Sequence, residues 1–115
     1  NMGECLFCQI DKGSVPAEKV YDDGGVFAIK DINPQAPIHL LIIPKKHFST
    51  ILEIQEEDRE LIGSIYTIAN HLAKDNGLDQ SGFRVVVNCG EEAGQSVFHV
   101  HYHLLGGRPF KWPPG

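Results

Sequence analysis

The sequence predicts an α+β fold: a mainly antiparallel sheet of about five strands, one long helix and a short N-terminal helix. Three observations carry this. Leu61, Ile62, Ile65, Ile68, Ala69, Leu72 and Ala73 keep helical spacing over a single stretch. Five short runs, "AEKVYDD", "GVFAIKD", "IHLLIIP", "GFRVVVN" and "VFHVHYHLL", are apolar or alternating and stand apart between turn signals. Three of these runs precede the helix and two follow it, which suits an antiparallel sheet packed on a helix better than alternating βαβ units.

Each element has a local reason. Residues 4–12, "ECLFCQIDK", make a short helix ended by Gly13. The next two runs flank Asp23-Gly24-Gly25, a hairpin signal. "DINPQAP" is a loop by its prolines and asparagine, and "IHLLIIP" is a buried central strand stopped by Pro44. The long helix starts at Glu56, with Glu56, Glu57 and Asp58 at its positive dipole end and Asn76-Gly77 as its stop. "CGEEAGQS" joins the last two strands, and "GGRPFKWPPG" is too rich in Gly and Pro to be regular.

At 115 residues the chain is expected to be one domain, 1–115. Asn1 ahead of Met2 reads as an expression remnant. With 15 acidic residues against 10 basic ones, the net charge of −5 offers no long-range attraction to nucleic acid. No apolar run approaches a membrane span and no charged-then-apolar leader is seen, so a soluble cytoplasmic protein is expected. Three cysteines, Cys5, Cys8 and Cys89, are too few for a disulfide scaffold and suit thiols or a metal. Cys5 and Cys8 form a single CxxC, which needs two further ligands if it holds zinc; the alternative is a pair of small buried side chains.

The chemistry concentrates in "VFHVHYHLLGG". On a strand, Phe98, Val100, Tyr102 and Leu104 face the core while His99, His101 and His103 share the other face, about 6.5–7 Å apart. Three readings compete for this row: ordinary surface histidines, a three-histidine zinc site, or a histidine nucleophile with histidine helpers. The preceding loop "GEEAGQS" has Gly94 for unusual backbone angles and the Ser96 hydroxyl, so it could present backbone N–H groups to an oxyanion. Together these features point to phosphorus chemistry.

"HVHYHLL" matches the histidine triad pattern, in which three histidines alternate with hydrophobic residues. "DINPQAPIHLLIIPKKH", "NCGEEAGQSVFHVHYHLLGGR" and "WPPG" resemble the Hint branch of the histidine triad nucleotide hydrolases over nearly the whole chain. The resemblance implies a HIT-like fold and hydrolysis of the P–N bond in purine nucleoside 5′-phosphoramidates. His101 would attack the α-phosphorus and form a nucleotidyl-histidine, His99 and His103 would orient it, and His39 would help to fix protonation states. Ser96 and Asn88 would bind the phosphate or the leaving group, with Gly94 and Gln95 shaping the loop. Asp31 would receive the ribose hydroxyls, although an aspartate before Asn33-Pro34 is equally a turn residue. Leu6, Phe7, Ile10, Ile29 and Ile32 would line the base pocket, or serve as ordinary core.

By the same resemblance, zinc-carrying relatives join a CxxC to the histidine of a "PKxH" segment and to the first triad histidine. Here the ligands would be Cys5, Cys8, His47 and His99, with His39 as the fallback, in a structural Zn2+ site not required for the chemical step. Similar proteins are homodimers whose sheets join across a two-fold axis, with the Trp112 tail reaching towards the partner. A dinucleoside polyphosphate hydrolase and a zinc-stabilised nucleotide-binding or scaffolding module are the rival functions.

Overall fold

The computed structural model describes residues 4–115; Asn1 and Met2 lie outside them. In chain order its elements are α1 (Leu6–Asp11), β1 (Lys19–Asp22), β2 (Val26–Lys30), β3 (Ile38–Pro44), α2 (Arg59–Asp75), α3 (Leu78–Ser81), β4 (Phe83–Val87) and β5 (Tyr102–Gly106). The strands form one sheet in the order β1-β2-β3-β5-β4, every neighbour antiparallel. The fold is therefore the expected α+β arrangement. β3 is central and buried nearly throughout, as its unbroken apolar run required.

Both faces of the sheet are covered. Leu40, Ile42, Tyr102 and Leu104 pack with Ile65, Ile68, Ala69 and Leu72 of α2 in one core cluster. Phe27, Ile29, Leu41 and Ile43 pack with Phe7 and Ile10 of α1 in a second cluster on the opposite face. α1 is short, yet it is the lid of that second face. Its exit is tied down by Lys45, which pairs with Asp11 at 3.1 Å and with Asp22 at 2.9 Å, joining helix end, β1 and the segment after β3.

The long helix is entered through a single 3-10 turn, Glu56–Asp58, rather than directly at Glu56. Asp58 and Gln55 form a capping box there, and Lys46 bonds Asp58 at 2.7 Å. Asn76 caps the other end by donating to the Leu72 carbonyl. Two further short elements, a 3-10 turn at Ile51–Glu53 and α3, fall where no periodic signal exists, since a single turn is too short to show one.

The last strand departs from expectation. Residues 97–101 are not strand, and β5 begins only at Tyr102. β3 pairs Ile42 with Tyr102, so the next same-phase pair would oppose Pro44 to Val100. Pro44 has no N–H to give the ladder. Val100 instead donates its N–H to the Phe48 carbonyl at 2.8 Å, turning the chain away from the sheet. Two consequences correct the alternation expected over 97–105. Phe98 is exposed rather than in the core, and the histidines are not on an open face: His99 is 1% and His101 8% exposed.

Candidate functional site

The site is built between α1 and the sheet face that carries β5. Phe7 of α1 is buried against two imidazoles, its ring centroid 5.0 Å from His101 and 5.9 Å from His99. Buried imidazoles need partners for their ring nitrogens. Here the backbone supplies three of them, and a backbone group permits only one hydrogen-bond direction.

His99 donates from Nε2 to the Pro44 carbonyl at 2.7 Å, leaving Nδ1 with the lone pair. His101 donates from Nδ1 to the His99 carbonyl at 2.8 Å, leaving Nε2 with the lone pair. His39 accepts at Nδ1 from the Gln35 N–H at 3.0 Å, so its proton sits on Nε2. That Nε2 lies 2.9 Å from Nδ1 of His103, which must accept, so His103 carries its own proton on Nε2. Neighbouring rings thus have opposite tautomers: His101 offers a bare nitrogen and His103 an N–H.

The three triad histidines do not act as one row. His99 turns its Nδ1 to Cys5 at 3.3 Å and Cys8 at 3.6 Å, and Cys8 lies 3.5 Å from Nδ1 of His47. The ligand atoms of Cys5, Cys8, His47 and His99 all fall within 4.8 Å of one another and could hold a metal ion. A tetrahedral zinc with thiolate and imidazole ligands would set such edges at about 3.3–3.8 Å, so these contacts fit it. Burial and the adjacent Cys5 push the Cys8 thiol up to about 11, the sort of thiol that a bound cation holds as thiolate. The Pro44 carbonyl fixes the His99 ring with Nδ1 turned to the cysteines, as a ligating imidazole needs. His39 is not the fallback ligand: β3 places it beside Asp31, at 3.3 Å, and His103.

Asp31, His39 and His103 also lie close enough to face an ion. The Gln35 N–H argues against it, because it occupies Nδ1 of His39 and keeps the proton on the nitrogen that would have to bind. Nor do the three triad histidines form one ligand set among the described residues, since the first turns its bare nitrogen to the cysteines.

His101 and His103 open onto a cavity of about 320 Å³. Leu6, Phe7, Ile10, Ile29, Asp31, Ile32 and Ser96 line it, with Ile32 98% exposed at its rim. Val15, Pro16, Ala17, Lys30, Leu41 and Val97 line it too; only the adjacency of Lys30 to Asp31 and of Val97 to Ser96 could have suggested any of them. Asp31 is a turn residue and a cavity residue at once, since Oδ1 accepts from the Asn33 N–H at 2.8 Å while Oδ2 reaches His39.

Asn88, Gly94 and Gln95 do not line this cavity. Gln95 is a buried staple that accepts from Gly90 N–H and donates to the Ser49 and Val97 carbonyls. The N–H groups of Gly94 and Gln95 go to the Glu91 and Gly90 carbonyls, so neither is presented to an anion. Gly94 does take the positive φ, +83°, that the turn demands. Asn88 follows β4, half-buried.

A family model described as "Scavenger mRNA decapping enzyme C-term binding" matches residues 4–110. An uncharacterized HIT-like protein of Synechocystis sp. is 46% identical over 112 residues, 97% of each chain. The crystal structure of a HIT family hydrolase from Legionella pneumophila superimposes with a TM-score of 0.95 at 50% identity, covering 97% of this chain and all of that one. The chain belongs to the histidine triad (HIT) family. A HIT family hydrolase from Clostridium thermocellum, 48% identical with a TM-score of 0.91, covers 94% of both chains.

This HIT site is built to keep its imidazoles neutral. Burial lowers His101, opposed by its bond to the His99 carbonyl and by Asp31. Burial also lowers His39, opposed by Asp31. Burial, aided by His101 and His39 and opposed by Asp31, pushes His103 from 6.5 to about 4. Between these values an unfolded His103 binds a proton that the folded one refuses, so stability is lost as pH falls from 6.5 towards 4. Urea midpoints measured across that window should fall in the wild type and fall less steeply in His103→Gln. Equal slopes would contradict the depressed value.

Proposed function

We propose that this protein is a nucleotide hydrolase that cleaves the P–N bond of purine nucleoside 5′-phosphoramidates through a nucleotidyl-histidine on His101. The observation that carries this is the His101 tautomer: a neutral imidazole whose Nδ1 proton is held by a backbone carbonyl and whose bare Nε2 belongs to a ring lining a nucleoside-sized cavity. The hydrolase names of the Legionella and Clostridium relatives agree with the reaction class.

The base lies among Leu6, Phe7, Ile10, Ile29 and Ile32, where apolar walls read area and shape rather than a hydrogen-bond pattern. The ribose hydroxyls donate to Asp31. His101 Nε2 attacks phosphorus, and the P–Nε2 bond forms as the P–N bond breaks. The substrate nitrogen, protonated from solvent, takes the bonding pair and departs as the free amine. His103 donates its Nε2 proton towards a phosphate oxygen, the position where charge grows. The His99 carbonyl stabilises the cationic ring of the intermediate through Nδ1–H. Water then attacks phosphorus, the pair returns to Nε2 and the monophosphate is released.

Zn2+ is the ion that the Cys5, Cys8, His47 and His99 set suits, and its task is structural: it would pin α1 to the His99 segment and so fix the carbonyl that orients His101. The bonding of Gly94 and Gln95 within the loop suits scaffolding, with Ser96 free to meet the phosphate or the leaving group. The setting is soluble and cytoplasmic; among the described residues no helix is long and apolar enough to cross a membrane.

The protein should release AMP from adenosine 5′-phosphoramidate with chelator present, and His101→Ala should lose at least about three orders of magnitude in kcat/KM. Loss of wild-type turnover on chelation, with the fold retained, would favour a metal in the chemistry; nucleotide binding without turnover would favour a binding module. A homodimer joined through β4 is proposed as well, since β4 is an edge strand with an unpaired, largely apolar run and Phe83 exposed. Sedimentation at micromolar concentration as a monomer would contradict it.

A further inference from the structure

We infer that a second cavity, adjoining the first, is the leaving-group subsite of the proposed reaction, and that Glu4 makes it favour amines carrying an additional positive charge. This rests on the phosphoramidase reading and adds the class of leaving amine. The second cavity has a volume of about 420 Å³ and shares Leu6, Ser96 and Val97 with the first. Neither His101 nor His103 lines it. In this reading a phosphorus in front of His101 has its nucleoside among Ile10, Ile29 and Asp31 and directs its leaving group towards Leu6, Ser96 and Val97, the residues that the two cavities share.

The lining of that cavity states what would fit. Leu6, Val97 and exposed Phe98 give an apolar flank for a short alkyl stem, while the Ser49 and Ser96 residues add polar atoms. Glu4 is its one carboxylate, and among the described residues no lysine or arginine lines it. The carboxylate therefore has no competing cation inside the cavity. Cys5 and His47 form the wall next to Glu4, so the same side chains that cluster around His99 also hold this wall in place. An amine with a distant ammonium group would run its methylenes along the apolar flank and end at Glu4; one ending in a carboxylate would meet like charge.

The test uses four adenosine 5′-phosphoramidates: the unsubstituted compound and adducts of 1,5-diaminopentane, 5-aminopentanol and 6-aminohexanoate. In wild type, kcat/KM should fall in the order cationic, neutral, anionic, with the first exceeding the second by about two- to five-fold, the range of a solvent-exposed ion pair. That preference should shrink as salt is added. Glu4→Gln should bring the cationic and neutral adducts to equal kcat/KM, and Glu4→Lys should move the anionic adduct ahead of the cationic one. Both changes are at an exposed side chain, so folding is not at stake. Equal kcat/KM for the three adducts in wild type, or a cationic preference that survives Glu4→Gln, overturns the subsite while turnover itself leaves the phosphoramidase reading standing. No turnover of any adduct, the unsubstituted compound included, removes that reading and the subsite with it.

Discussion

The hydrogen bond from Nδ1 of His101 to the carbonyl of His99 is the constraint on which the rest of the site depends. It joins residues two apart in sequence, and so it exists only where the chain is not a regular strand. In a paired strand that carbonyl would point along the sheet towards a neighbouring N–H. Pro44 prevents the pairing, Phe48 takes the Val100 N–H instead, and the freed carbonyl turns to the imidazole. A residue that lacks an N–H thus sets the tautomer of His101.

The same logic runs outward. The Pro44 carbonyl holds His99 with Nδ1 bare, the state a metal ligand needs, while in His39 the same Nε2–H tautomer has its Nδ1 already taken by the Gln35 N–H, which denies a metal and passes a donor to His103. Three imidazoles in one motif therefore divide their work. His99 belongs to the cysteine cluster beside α1, His101 presents a bare Nε2 from a ring lining the cavity, and His103 presents an N–H. α1 joins two of these, since Phe7 covers the rings of His99 and His101, and Cys8, with Cys5 just before the helix, flanks His99. Burial then keeps the rings neutral near pH 7, where a protonated imidazole would have no lone pair to offer.

Much of this was legible in the sequence, and the reasons for success and failure differ by residue. The spacing of Ile65, Ile68 and Leu72 located the long helix, and the unbroken run at Ile38–Pro44 located a strand buried on both faces, because period and burial are written in side-chain type. The CxxC and the candidate histidines were visible as well, but the choice between His47 and His39 was not. It depends on strand phase: His39 shares the face of Leu41, opposite His103, whereas His47 lies past Pro44 where the chain curls back to Cys8. Hidden altogether were the backbone partners, Gln35 N–H and the carbonyls of Pro44 and His99. Every residue has such groups, so sequence cannot say which of them will be aimed at a ring. Phe98 was misplaced for a related reason: alternation presumes a ladder, and the ladder ends at Tyr102. Gln95 was expected to shape the loop, but the backbone groups it staples, Gly90 N–H and the Ser49 carbonyl, were not legible.

The most direct measurement is the ring-nitrogen 15N spectrum of the histidine-labelled protein at neutral pH, which distinguishes Nδ1–H from Nε2–H tautomers residue by residue. His101 should be the Nδ1–H form, His39 and His103 the Nε2–H form, all three neutral. His101 found as the Nε2–H tautomer, or as imidazolium, would leave no bare Nε2 for phosphorus and would contradict the role assigned to the His99 carbonyl.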